Sequence, residues 1–244
     1  MKKHLRIAFF ALAAIAAMAC NKLNQSADGG IVFAISNDES VDVVTKGKVS
    51  DYTSLPAAAN FTLTIKDDAS ATVWTGLLSE WDATTPLAAG SYTVDAVYGA
   101  EGAEGFDKPY FTGSVGFTVN GGQNTSVNIP VSLANTIVKI ECTENFNNYF
   151  TDYSFTVKTG NATEIPFIKG ETKAAFIDAF KFTVTGSLTN QGGVTSSFSK
   201  EYANLEAKTC YTVKFDVDNV GSMTITVTFN DTVETVTIDQ ELND

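Results

Sequence analysis

The chain has 244 residues, 44% of them apolar, with 28 carboxylates against 16 lysines and arginines and a formal charge of −12. Setting aside residues 1–19 leaves 13 lysines, the same 28 acids, a balance of −15, and neither histidine nor arginine. That composition excludes Ser-His and Cys-His nucleophile pairs and His-containing zinc or iron sites, removes the bidentate guanidinium grip on phosphate, and makes nucleic acid a poor partner.

Lys2, Lys3 and Arg6 precede an apolar run from Ile7 to Ala19 that stops at Cys20. A cationic start, a short apolar segment and small residues before a cut are the marks of a secretory signal. The run is too short to cross a hydrocarbon core of roughly 30 Å. Ala17-Met18-Ala19-Cys20 resembles a bacterial lipoprotein cleavage site, where the cut falls before a cysteine whose thiol carries diacylglycerol, although Ala17 stands where Leu or Val is commonest. The other reading is an ordinary signal peptide cut after Ala19. Acylation at Cys20 predicts a membrane partner held through the N-terminal lipid, because two or three acyl chains anchor where one holds only marginally. Residues 20–28 then form a polar tether, and the rest is an outer-membrane lipoprotein domain of the cell envelope, facing the periplasm or exposed at the surface.

Ile31 to Ile35 is a first strand, open to completing its own sheet or being exchanged with another chain. Beyond it the apolar residues recur with period two, the signature of strands buried on one side. Phe61, Leu63 and Ile65 alternate with Thr62, Thr64 and Lys66; Tyr92, Val94, Ala96 and Tyr98 alternate with Thr93 and Asp95. Leu77, Leu78 and Trp81 fit a helical turn between these strands. The loop Gly99 to Gly113 follows, and Asn120-Gly121-Gly122 joins a strand ending at Val119 to Val127, Ile129, Val131 and Leu133. Pro130 inside that pattern predicts an edge or a bulge, since it has no N–H for the ladder.

A boundary is expected near Ala134-Asn135, with no Pro-rich or Gly/Ser linker, so the two halves should abut. Val138, Ile140 and Cys142 then share one strand face, and Phe146, Tyr149 and Phe150 fit one or two helical turns. Ala174 to Phe180 is ambiguous between helix and strand. Tyr211, Val213, Phe215 and Val217 alternate with Thr212, Lys214 and Asp216, and Met223, Ile225, Val227 and Phe229 with threonines. Asp218-Asn219-Val220-Gly221 and Asn230-Asp231 are hairpin turns. Cys210 lies on the parity opposite Tyr211, so a bond to Cys142 needs an irregular strand start, and two separate thiols fit better. One weak repeat links the halves: Leu87-Ala88-Ala89-Gly90-Ser91-Tyr92-Thr93-Val94 echoes Leu205 to Val213, a turn feeding a strand that begins with tyrosine. The expected fold is all-β: two antiparallel β-sandwiches in tandem, residues 29–134 and 135–244, with short helical turns only.

Several segments, Val43-Val44-Thr45-Lys46, Leu87 to Val94, Phe106-Asp107-Lys108-Pro109-Tyr110-Phe111-Thr112-Gly113, Gly116 to Thr125 and Leu133-Ala134-Asn135-Thr136, resemble an uncharacterised lipoprotein family of gut Bacteroidetes, a domain of unknown function built from tandem Ig-like, loosely fimbrillin-like β-sandwiches. The resemblance implies an anchored adhesion or assembly module whose partners are other envelope proteins or glycans. Fimbrillins mature by a cut after a basic residue near the N-terminus, and here only Lys46 and Lys48 are candidates.

Trp74, Trp81, Tyr98, Tyr110 and Phe111 can offer flat faces to sugar rings, which is the basis of an alternative role as a carbohydrate-binding lipoprotein of a glycan-uptake system; core packing explains the tryptophans equally well. Glu101, Glu104 and Asp107 carry hard oxygen ligands for calcium, but their spacing matches no known calcium loop and describes a solvated connection as well. No acid pair stands out as a glycosidase couple. The chain is expected to be no enzyme and to need no cofactor.

Overall fold

The computed structural model describes residues 30–41, 47–217, 224–229 and 232–237. The signal segment, Cys20 with its tether, Val43 to Lys46, and the turns at 218–221 and 230–231 lie outside the described residues. The all-β reading holds, with eighteen strands and one short α-helix among the described residues. No helix there is long and apolar enough to cross a membrane.

The first half supplies β1 (Ile31–Asp38), β2 (Ser40–Val41), β3 (Gly47–Lys48), β4 (Thr62–Asp67), β5 (Thr72–Leu77), β6 (Gly90–Tyr98), β7 (Gly105–Phe106), β8 (Phe111–Val119) and β9 (Thr125–Leu133). Six of them form one sheet in the order β1-β9-β8-β6-β4-β5. Alternation does what the sequence predicts: Leu63, Ile65, Val94, Ala96 and Ile129 are wholly buried on one face while Thr62, Thr93 and Asn128 meet water. Each of these Leu, Ile and Val side chains contributes about 1.5–3 kcal/mol on burial. The buried face is covered by Val49, Tyr52 and Leu55 from the segment after β3, by Trp81 and Leu87, and by Ile137, Ala174, Phe176 and Cys210 from the second half.

Two pairings were not legible in the periodicity. β1 runs parallel to β9, with Ile31 opposite Thr125 and Asp38 opposite Ser132, which makes β9 an interior strand rather than an edge. Its ladder to β8 holds only at Phe111↔Leu133 and Thr112↔Ser132 and lapses beside Pro130. There β8 carries Gly113, where a Cβ would stand 2.1 Å from the Pro130 carbonyl oxygen. Proline is thus accommodated by a close backbone approach that only glycine permits.

The second half supplies β10 (Thr136–Cys142), α1 (Glu144–Tyr149), β11 (Phe150–Thr159), β12 (Glu164–Ile168), β13 (Ala175–Ile177), β14 (Lys181–Asn190), β15 (Thr195–Ala203), β16 (Cys210–Val217), β17 (Thr224–Phe229) and β18 (Thr232–Thr237). One sheet runs β18-β17-β16-β10-β13-β7 and the other β12-β11-β14-β15. β10 and β16 are parallel. Phe155 and Phe215 stack between the two sheets at 4.2 Å, and an added Cβ at Gly186 would lie 2.8 Å from the Phe155 ring. The helix α1 starts where the Thr143 hydroxyl accepts from the Phe146 N–H, a side-chain cap on the first turn. It inserts Phe146 against Phe150, Tyr153, Phe155 and Phe215.

The sheet containing β10 is buried on both faces at one end. Val138, Ile140, Tyr211 and Val213 join the core of the second half, whereas Ile137, Phe176 and Cys210 join that of the first. β7 belongs to the first half by sequence yet pairs with β13, Phe106 opposite Ala175.

Candidate functional site

The loop from Gly99 to Gly113 is a strap between the halves. Beyond the β7–β13 pairing, the Phe106 ring meets Phe167 edge-on at 5.0 Å inside the second core. The two Glu104 carboxylate oxygens accept from the Thr159 hydroxyl and, at 2.9 Å, from the Asp178 backbone N–H. Asp107 forms an ion pair with Lys173 at 2.9 Å. Glu101 is exposed. Of the three acids proposed for calcium, Glu104 and Asp107 therefore engage separate partners and Glu101 meets water, and no cluster of three His, Cys, Asp or Glu among the described residues could hold a metal. The solvated-connection reading also falls short, because two of the acids face the opposite half.

A second junction lies at Asn135, where the Tyr110 N–H donates to the side-chain oxygen and the Lys208 N–H donates to the backbone carbonyl at 2.8 Å. Lys208 also pairs with Asp38, holding that carboxyl down at about 2, chiefly through this bond and that from Ser40. The weak internal repeat has a physical counterpart: the Tyr92 hydroxyl donates to the Ala88 carbonyl at 2.9 Å, and the Tyr211 hydroxyl accepts from the Glu206 N–H at 3.0 Å. Each tyrosine ties its strand back to the turn that feeds it, in the manner of a tyrosine corner.

The five aromatic residues proposed for sugar do not form one platform. Phe111 is 0% exposed and belongs to the first core, where Tyr98 packs against it and Phe61. Tyr110 sits at the junction, its phenol raised by burial and by the nearby Glu101 and Asp178 charges. Trp74 and Trp81, both half-buried, meet edge to face at 4.9 Å, and Trp81 continues to Phe33 at 5.1 Å. The Trp81 indole N–H donates to the Ile31 carbonyl at 2.9 Å, so this ring fastens the beginning of β1. The backbone N–H of Lys48, one of the two candidate processing residues, donates to Asp51 at 2.8 Å.

Both described cysteines are free thiols. The β10–β16 register puts Cys210 beside Ile137, five residues from Cys142, roughly 16 Å along the ladder and on the other face. Burial pushes the Cys142 thiol up to about 11 and raises Cys210 too.

A cleft of about 380 Å³ opens in the second half, unforeseen from the sequence. One wall is β10 from Lys139 to Cys142, the floor is Tyr153, Phe155 and Phe167, and the far wall is the connection Gly170 to Thr172. Lys139 pairs with Glu141 at 2.9 Å. The Tyr153 hydroxyl donates to Asn147 at 2.6 Å, and burial raises that phenol to about 12. The only hint in the sequence was the ambiguous run after Ala174, which yields a strand of three residues beside one of seven.

A search of the curated proteins gave no match. Among solved structures, the chain is similar to a candidate polysaccharide-binding protein (DUF1812) from Bacteroides thetaiotaomicron, at 11% identity and a TM-score of 0.48, covering 89% of this chain and 100% of the other. A candidate cell adhesion protein from Bacteroides ovatus gives 12%, 0.47, 88% and 100%. A fimbrial assembly protein from Parabacteroides distasonis gives 9%, 0.42, 74% and 92%. Residues 27–244 match the family described as Domain of unknown function (DUF4493), and the chain belongs to that family.

Proposed function

We propose that the chain is a non-catalytic lipoprotein of the bacterial cell envelope, anchored through Cys20 and acting as an adhesion or assembly module. Adhesion and fimbrial assembly are what the similar structures are named for; the support in this chain is its own geometry. The observation that carries the reading is the clasp at the junction: β7 on β13, Glu104 on Thr159 and Asp178, and Asp38 on Lys208. A body joined in this way passes tension from a tether at one end to a partner at the other without the halves separating. The signal-like start and the acidic composition, free of histidine after residue 19, fit the same setting.

Mass spectrometry of the native protein tests the anchor. The expected N-terminus is an acylated Cys20, lost together with membrane retention in Cys20→Ser; an unmodified native N-terminus overturns the reading. The half-buried Trp74–Trp81 pair favours carbohydrate binding as a second reading. A glycan array decides it: binding of one polysaccharide class that disappears in Trp74→Ala makes the protein a sugar binder, and an array blank with the intact chain removes that role.

A further inference from the structure

The strands by which the chain enters and leaves the first half are neighbours. Gly30 leads into β1, and β9 leaves through Ala134 and Asn135 into β10, which starts at Thr136. β1 and β9 pair in parallel from Ile31↔Thr125 to Asp38↔Ser132, a ladder of roughly 23 Å between its end residues. The chain therefore arrives at one end of the pair and departs from the other. β1 is the edge of its sheet, where β9 is its one neighbour among the described strands. The Gly30 carbonyl accepts from the Thr125 N–H at 2.8 Å, so the even-numbered residues of β1 turn their backbone groups to β9. The odd-numbered ones turn theirs outward, and Ile31 offers its carbonyl to the Trp81 indole at 2.9 Å. Side chains fasten the pair along its length: Ile31 and Phe33 are buried in the first core, the Asn128 amide donates to the Ser36 hydroxyl at 3.2 Å, and Asp38 pairs with Lys208.

We propose that β1 and β9 form a shear clamp, a mechanical device that keeps the first half folded when its N-terminal anchor is pulled against a partner held by the second half. The clamp rests on the reading of the chain as an anchored adhesion or assembly module. Ladder hydrogen bonds run across the strands from one to the other. A pull on Gly30 against Asn135 acts along the strands instead, so the rungs are strained together and β1 must slide as a unit. A slip of one residue turns Ile31 and Phe33 from the core to water. It also carries Ile31 away from the Trp81 indole and Asp38 away from Lys208. An antiparallel β1 would bring the chain in and out at the same end of the pair, and its rungs would open one after another. Forced unfolding is governed by the unfolding barrier, and the parallel register puts the whole ladder into that step.

Single-molecule force spectroscopy tests the clamp in the mature chain with Cys20→Ser and a handle fused to its N-terminus. A second handle is attached through an azide-bearing residue in place of Ser132, half-buried at the far end of β9, or of Gln123, exposed in the turn before Thr125. Each labelled chain must keep the Tm of the parent, and exposed Pro130 is the substitute position if 132 lowers it. At one pulling speed, the rupture force is expected to be about twofold or more higher for the handle at 132, which shears the ladder, than for the handle at 123, which peels it from the Ile31 end. Equal forces, or the larger force at 123, overturn the clamp. An unmodified native N-terminus would remove the anchor and leave this dependence on direction standing, whereas equal forces beside an acylated Cys20 would remove the clamp alone.

Discussion

Glu104 shows how much one side chain can join. It is a partly buried carboxylate accepting two hydrogen bonds from the opposite half, so Glu104→Ala leaves the Thr159 hydroxyl and the Asp178 N–H without their acceptor. Charge-assisted bonds of this kind are worth about 1.5–3 kcal/mol, and chemical denaturation should show a loss in that range. Asp38 makes a smaller, pH-dependent contribution. Its carboxyl sits at about 2 in the folded chain against an ordinary 3.8, so its stabilisation is complete above about pH 4 and disappears as the pH falls through the folded value. The ion pair is partly exposed, and solvent screening keeps the effect small. Tm measured from about pH 4 to 2 should fall less steeply in Asp38→Asn than in the parent. At Cys142 and Cys210 burial favours the neutral thiol, and the thiolate is the reactive form. Alkylation near pH 8, followed by mass, should leave both unmodified in the folded chain and modify both after unfolding.

At the scale of elements, Trp81 governs β1. Replacing it with phenylalanine keeps a ring against Phe33 but removes the indole bond to Ile31. A loss of about 1 kcal/mol is expected, with faster amide exchange at the start of β1 than in β4 or β6. The strands with clean alternation were legible because one face of each meets water and threonine suits the other. Leu63 and Ile65 in β4 and Val127 to Leu133 in β9 are examples. Parallel neighbours were not legible, since period two reports a face and never a partner; β1 beside β9 and β10 beside β16 depend on contacts distant in sequence. Cys210 kept its predicted parity and still came out buried, because the face read as outward meets the other half at that end. The strap defeated local reading for a similar reason. Glycines and acids between two strong strands describe water or metal equally well, and the groups that engage Glu104 lie 55 and 74 residues further along. The cleft followed from β13 stopping short, and the sequence marks that only as an ambiguous run.

Across the whole molecule, the two cores meet through a shared sheet. Ile137, Phe176 and Cys210 serve the first half while their strand neighbours serve the second, so separation of the halves strips apolar surface from both and unpairs β7 from β13. Calorimetry of the intact chain should therefore give one transition with equal calorimetric and van't Hoff enthalpies. Two resolved transitions would show that the junction contributes little. The parallel run of β1 also sets a polarity. Ile31 lies beside Thr125, whereas Asp38, seven residues and roughly 23 Å along, reaches Lys208 in the second half. The polypeptide thus enters at the pole remote from its carboxyl-terminal half. Under the proposed anchoring at Cys20, that half stands outboard, and its strand tips are the first part a neighbouring cell or filament would meet.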